Sequence, residues 1–577
     1  MKNQLVKNIF MILCSIAVWS CSDEDFGLEQ VNPNGPSTDN YWSNLDRTES
    51  TLISAYSGLL HHDLLGIIQE SVRSDLAFAT IRTNPSGPLT QWYYQQFLNS
   101  DPSSTKRWES QYKVIFFANQ VIEGLENLPE EEKADQARWT NQMAQARFLR
   151  GLMHFYLHSG FNNGEIIIRD YVPTSLEDFN LETSSSEEVV KFFRADLKYA
   201  YQNLPAQNDD GSGAYKATAG AAATALGTSY LYQAEYDSAI TVFKDVINNA
   251  DYGYQLEDHS VLFTEAGENN REAIFEINYT VDFKLDESQW TEESLSSRLA
   301  RASVNTGNER FSPSAWITDA YQKEPLNTQD ARNFVNGNLR PVSLRASQMI
   351  ALVQDTVTSY YLKSSVPQGI AFNSLTPSYW KKYTNHDIAA SEGDTGGTDW
   401  KSGRNVTVMR LADVHLMLAE ALIQQNNDIA GAITHINKIR DRWALQLIGP
   451  DQATGDDYDG VTYDATTLME HLMYIERPLE LSAEGHAIRT IDLRRWGVTK
   501  QRFEELAQET YYLTEFEYKD EAGGIAKRNK AYLNKGVAPG NEEVIDYEYD
   551  LAASNYIESV HGYLPIPLEE ERNNSSQ

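Results

Sequence analysis

Apolar side chains return every third or fourth position over long parts of this chain, the spacing that gathers them on one face of an α-helix. Leu45, Leu52, Tyr56 and Leu60 predict a helix within Tyr41 to Leu60, with Asn40 as its N-cap. Tyr112, Ile115, Ala118, Val121, Ile122 and Leu125 predict a second over Trp108 to Leu128, stopped by Pro129. A long helix follows from Glu132 to Gly160. Another runs from Ser184 to Leu204, opened by a Ser184–Glu187 capping box and closed before Pro205. Ala217 to Asn249 reads as two helices joined at Glu235. There Leu226, Gly227, Tyr230, Tyr236, Ala239 and Phe243 stand at the spacings of a tetratricopeptide repeat, in which a small residue lets paired helices approach and large ones fill the space between. Arg410 to Gln425 and Asp428 to Arg442 predict a second hairpin of similar size. A lone repeat cannot bury its apolar face, so such pairs must stack.

Between about Tyr252 and Gly403 the helical period fades and Gly, Ser, Thr, Asn and Pro become frequent. Short β-like runs stand at Ala273 to Tyr279 and Thr356 to Leu362. An insert of that size inside a compact domain is usually functional. Helix returns over Tyr458 to Arg477 and Ala483 to Trp496, and Ala507 to Gly562 reads as loop-rich. The expected division is a helical section over 41–251, an irregular insert over 252–404, a second helical section over 405–500 and a loop-rich C-terminal region over 501–577. The fold class is mainly α, a tetratricopeptide-like helical repeat scaffold with a large irregular half carrying short β-strands.

The first forty residues follow another pattern. Lys2 and Lys7 precede an apolar stretch from Ile9 to Val18, too short for a membrane span and of the length found in signal peptides. Val18-Trp19-Ser20-Cys21 resembles a lipoprotein signal, with Trp19 where a small residue is usual. This makes 1–20 a signal peptide, Cys21 the lipidated residue and 21–40 a tether ending in the turn-forming run Val31 to Pro36. The acidic run Asp23-Glu24-Asp25 resembles a signal for export to the outer face of an outer membrane. The chain's two cysteines are Cys14 and Cys21, so a mature chain starting at Cys21 makes no internal disulfide and no zinc–thiolate cluster.

Charge narrows the function classes. The 577 residues carry a net charge of −34, which repels phosphate backbones and excludes nucleic acid as a partner. It also repels anionic lipid, so membrane attachment needs a real anchor. The 32 Tyr, 21 Phe and 11 Trp are enough for a large core, a stacking surface, or both.

Several segments then resemble the SusD/RagB family. They are RLADVHLMLAEAL (Arg410 to Leu422) with INKIRDR (Ile436 to Arg442), ERPLELSAEGHAIRTIDLRRWG (Glu476 to Gly497) and YLPIPLEE (Tyr563 to Glu570). ARFLRGLMHFYL (Ala146 to Leu157), with Gly151 in place of the family's Ala, SSEEVVKFFRADLKYAYQNLP (Ser185 to Pro205) and NREAIFEINY (Asn270 to Tyr279) stand in the expected order. The resemblance implies an outer-membrane lipoprotein, facing the cell exterior, that captures oligosaccharides and passes them to a SusC-like TonB-dependent transporter. It implies no catalytic residues and no cofactor. A peptide or other nutrient binder of the same fold is the alternative, followed by a glycoside hydrolase.

Individual residues test those alternatives. Glu476, Glu480 and Glu484 share one helix face, as paired glycosidase carboxylates would, but the surrounding Arg477, Arg489, Arg494 and Arg495 point to a salt-bridge network. His154 and His158 have metal-ligand spacing without the zincin glutamate, and read as packed histidines. Asp456, Asp457, Asp459 and Gly460 form an acidic loop without EF-hand spacing, a solvated loop that leaves incidental calcium as the one metal to consider. Sugar rings stack on aromatic faces carried by loops. Trp92 and Tyr94, after a turn-rich run, and Trp290 and Trp316, in the irregular insert, are the candidates. Trp42, Trp108, Trp139, Trp443 and Trp496 lie on helical patterns and are assigned to the core. The resemblance puts ligands where the loop after the first helices meets the irregular half, which adds Asp75, Arg82 and Asn84. Truncating Trp92 or Trp316 is then expected to weaken binding and leave the melting temperature nearly unchanged.

Overall fold

A computed structural model describes residues 42–80, 82–83, 85–208, 211, 213–281, 297–304, 311–394, 402–426, 428–451, 454–455, 457–545 and 548–574. Helix α1 (Leu45–Gly58) opens the body. Its N-cap is Asn44, whose side chain accepts from the Asp46 and Arg47 N–H groups at 3.1 Å, four residues later than expected. Then come α2 (Ile67–Arg73), strand β1 (Ala77–Ala79), α3 (Pro88–Tyr93), and the long antiparallel neighbours α4 (Pro102–Glu126) and α5 (Gln136–Gly160). Helix α6 (Ser186–Asn203) carries a capping box on Ser185 and Glu188, one residue beyond the expected pair. Ser184 with Glu187 and Ser185 with Glu188 fit the capping-box spacing equally, and sequence spacing alone does not select between them.

The repeat follows as α7 (Ala219–Tyr232) and α8 (Tyr236–Asn248). A Cβ on Gly227 would lie 2.6 Å from the Phe243 ring, so glycine is what allows this close approach. Past strands β2 (Ala273–Ile277) and β3 (Phe311–Pro313) lies α9 (Ala315–Gln322). Strands β4 (Ile350–Leu352), β5 (Ser378–Trp380) and β6 (Val406–Arg410) lead to the second helical hairpin, α10 (Leu411–Asn426) and α11 (Ile429–Arg442). Helix α10 packs on α8, which extends the stack of helix pairs. The chain continues through α12 (Ala465–His471), a π-turn over Leu472–Glu476, α13 (Arg477–Leu481), α14 (Ile488–Arg495) and α15 (Thr499–Leu506).

The strands form small antiparallel sheets: β1 with β3, β2 with β6 and β4 with β5. Each ties a piece of the irregular half to another part of the body. Ala77 to Ala79 pair with Pro313 to Phe311, and β2 meets β6 just where α10 begins. One continuous apolar core runs through both halves, from Leu45 to Ile566.

Two expectations fail here. Thr356 to Leu362 is a run of turns with one isolated bridge from Tyr360 to Lys363 and forms no strand. The stretch read as loop-rich contains a regular sheet of β7 (Tyr511–Lys519), β8 (Ile525–Lys535) and β9 (Glu543–Val544) in the order β8-β7-β9. Only the Tyr511 end of β7 is fully buried, and beyond it exposed Glu515, Glu517 and Lys519 alternate with half-buried Phe516 and Tyr518. That leaves no apolar run to mark it as a strand.

Candidate ligand-binding site

Strand pair β1–β3 joins the segment after α2 to the irregular half, and most of the nominated side chains meet there. Asp75, fully buried just before β1, receives Arg489 of α14 at 2.7 and 2.6 Å on its two oxygens and Arg502 of α15 at 3.0 Å. Burial alone would raise this carboxyl, but the two guanidiniums outweigh it and hold the group below its ordinary value. The Asp75 carbonyl accepts from the Trp316 indole N–H and, at 2.8 Å, from the Ser314 hydroxyl. Arg82 lies 4.5 Å from the Phe78 ring, donates to the Pro313 carbonyl at 3.1 Å and pairs with Glu548.

Trp92 and Trp316 therefore differ from their expected role. Both stand on helices, α3 and α9, and are 1% and 7% exposed. Trp92 donates to Asp101 at 3.0 Å and stacks on Phe97 at 5.1 Å. The Trp316 ring is covered by the Arg502 guanidinium at 4.3 Å. Neither indole has a face left for a sugar, because each is used to seal irregular backbone where helices shorter than three turns supply few internal hydrogen bonds. Asp75 and Arg82 are equally enclosed. Tyr94 is half-buried, and its carbonyl accepts from Asn555 at 2.9 Å. Around it Gln91, Gln96 and Leu98 are exposed, Leu98 at 67%. Sequence reasoning passed over these three because none is aromatic or charged. Asn84, Trp290 and Cys21 lie outside the described residues.

The carboxylates of the C-terminal motif do form a salt-bridge network, but with cations from distant segments and not with the neighbouring Arg477, Arg489, Arg494 and Arg495, which bond elsewhere. Glu480 meets Arg410 at 2.7 Å, Arg442, and the Trp443 indole N–H at 2.7 Å. Glu476 pairs with Arg345 at 2.9 Å and with Arg440. Glu484 pairs with Arg410 at 2.6 Å and with Lys382. Burial pushes Glu480 up, and Arg442, Arg410 and Arg345 more than reverse it, to about 2. A glycosidase acid needs a raised carboxyl that keeps its proton. Glu476 and Glu480 are shifted the other way. Glu268, by contrast, is pushed up to about 7 by burial, and Glu276 is raised for the same reason. They border a cavity of about 20 Å³, room for a water molecule and not for a sugar ring.

His154 and His158 are packed histidines. His154 Nδ1 lies 2.8 Å from the Arg150 carbonyl, and His158 Nε2 lies 2.9 Å from the Ser186 hydroxyl. Burial pushes them down to about 3 and about 4. In the acidic loop, Asp457 accepts from the Gly460 N–H at 2.9 Å, and Asp459 accepts from the Tyr463 hydroxyl at 2.8 Å. Among the described residues no group of three or more His, Cys, Asp or Glu side chains is placed to hold a metal ion. No described helix is long and apolar enough to cross a membrane.

A family model described as the SusD family matches residues 271–576, and a second, described as starch-binding associating with outer membrane, matches 65–231. The chain belongs to the SusD family. A SusD-like protein of Bacteroides ovatus is 24% identical over 383 residues, 61% of this chain and 62% of that protein. The chain thus spans less than two thirds of that relative. The solved structure of a SusD superfamily protein from Bacteroides vulgatus superposes with a TM-score of 0.69 at 23% identity, covering 92% of this chain and 98% of that one. A laminarin-binding SusD-like protein superposes with a TM-score of 0.63 at 19% identity, covering 92% and 98%. These neighbours share the fold, the helical repeat scaffold with its irregular half.

Proposed function

We propose that this protein is a non-catalytic, lipid-anchored receptor that captures oligosaccharides outside the outer membrane and delivers them to a TonB-dependent transporter. Family membership carries this reading. The starch-binding description of the second family model and the laminarin-binding neighbour support a glucan-like ligand. The depressed Glu476 and Glu480 support binding without turnover.

The ligand face lies on the outside of the β1–β3 junction. Tyr94 supplies contacts there, while Asp75, Arg82, Trp92 and Trp316 fix the backbone beneath; Trp290 and Asn84, outside the described residues, are the contacts proposed from the sequence. Titration calorimetry with malto- and laminari-oligosaccharides tests this. Tyr94→Ala and Trp290→Ala should each lose about 1–3 kcal/mol, roughly tenfold or more in affinity. Unchanged affinity in both would remove the junction from consideration, and peptide binding without glycan binding would replace the ligand class. Release of reducing ends from the same glycans would make the protein a hydrolase. Cys21→Ser should leave the protein soluble after export, and co-purification of the wild type with a large β-barrel tests the transporter.

A further inference from the structure

A second cleft opens on the opposite end of α14. Arg489, near the start of that helix, reaches Asp75 in the junction. Arg495, at its end, forms the floor of a cavity of about 370 Å³ between α7, α8, α10 and the π-turn. That volume lies within the usual range for small-molecule sites. The two carboxylates of the floor, Glu420 and Asp492, are matched by two guanidiniums, because Asp492 also pairs with Arg477 at 2.6 Å. Arg495 grips Glu420 with one contact at 2.5 Å and bonds Asp492 at 2.9 Å, and the Trp496 indole N–H donates to Glu420 at 3.0 Å. The guanidinium sits 5.3 Å from the Tyr232 ring and 4.8 Å from the Trp496 ring, so it locks both aromatics in place.

The walls are Tyr232, Tyr236, Met469, Met473 and half-buried Trp496, and Gln424 stands exposed at the mouth. The hydroxyls of Tyr232 and Tyr236 and the Gln424 amide have no hydrogen-bond partner among the described residues. An ionic ligand finds no net charge to answer on this floor, and a purely apolar one leaves two phenols and an amide unsatisfied. A neutral ring with C–H faces and a rim of hydroxyls satisfies both.

We propose that this cleft is a second binding site, separate from the junction, for one or two rings of a neutral oligosaccharide. The ligand class follows from the lining of the cleft itself, independently of the junction. The test is calorimetry on the full mature chain with malto- and laminari-oligosaccharides, together with crystals soaked in the same sugars. Two binding events per chain are expected, with electron density for sugar beside Trp496. Gln424→Trp fills the mouth from an exposed helix position and should abolish one event while leaving the other and the melting temperature unchanged. Tyr236→Phe should weaken the same event several-fold. A single event, lost in Tyr94→Ala and untouched by Gln424→Trp and Tyr236→Phe, overturns the second site and leaves the junction standing. No binding of either sugar overturns both. An apolar peptide that binds wild type but not Gln424→Trp, where sugars do not bind, also overturns it.

Discussion

Trp92 and Trp316 of the junction contrast with Trp496 of the helical stack, where Trp108 and Trp443 are buried as expected. In the junction, where the sequence reads as loop, Trp92 and Trp316 are enclosed and their N–H groups are committed to Asp101 and Asp75. In the stack, where the sequence reads as regular helix, Trp496 is half-open and borders a cleft. The cause is where each region gets its enclosure. A long helix buries its apolar stripe against a neighbour, and Trp496, one residue past the end of α14, falls off that stripe. Irregular chain has no such stripe, and large rings must cover the backbone instead. Local regularity therefore does not tell which aromatics are available to a ligand.

Substitutions can break this comparison. The largest effect is expected in the buried charge network: Glu480→Ala takes one carboxylate from Arg410, Arg442 and Arg345, leaving Glu272, Glu484 and Glu476 to carry three guanidiniums, and should cost about 3–5 kcal/mol by urea denaturation. Trp316→Ala should come close, at about 3–5 kcal/mol, against well under half of that for Trp496→Ala. This reverses the expectation that Trp316 is dispensable for stability, and equal losses in the two variants would dissolve the contrast.

The acid side can be read by melting against pH. Glu480 is held down at about 2 from an ordinary 4.5, so its contribution is complete above 4.5 and fades as pH falls towards 2. Glu268, raised from 4.5 to about 7, has the opposite sign. Its contribution is complete below 4.5 and is lost as pH rises to 7, and Glu268→Gln should flatten that slope. The smallest expected effect is at the Ser185 cap, where Ser185→Ala should cost about 1 kcal/mol.

The sequence showed the helix pairs clearly, because thirteen or fourteen residues are enough to mark a helix by its period and small-residue spacing: α7 and α8 run within the expected bounds, with their turn at Glu235. That Glu476, Glu480 and Glu484 are ion-paired was also legible, but their partners were not: Arg345, Arg410, Arg440 and Arg442 hydrogen-bond to them from segments 36 to 131 residues earlier, and the helix ends at Leu481, before Glu484. Short elements were not legible. Helix α9 has 8 residues, too few to show a period, so Trp316 looked like a loop residue. Strand β7 hid because one face of its outer half is solvated Glu and Lys and the other is only half-buried. Of the candidate ligand residues, the sequence nominated Asp75, Arg82, Trp92, Tyr94 and Trp316, which gather around the β1–β3 junction. It could not tell the inner from the outer face, which depends on segments several hundred residues away.

That separation has a consequence for how the molecule is made. Asp75 and its partner Arg489 are 414 residues apart. Glu272, Arg345, Arg410, Arg442 and Glu480 likewise complete one another only when all five are present. A chain that emerges from its N-terminus holds Asp75 without a counter-ion until most of the sequence has followed. Burying a lone carboxylate is unfavourable by several kcal/mol, so the early segments have nothing to gain by closing first. Such distant pairings slow folding and make it depend on the complete chain. Fragments ending before Glu480 should therefore stay open, which limited proteolysis of such fragments checks.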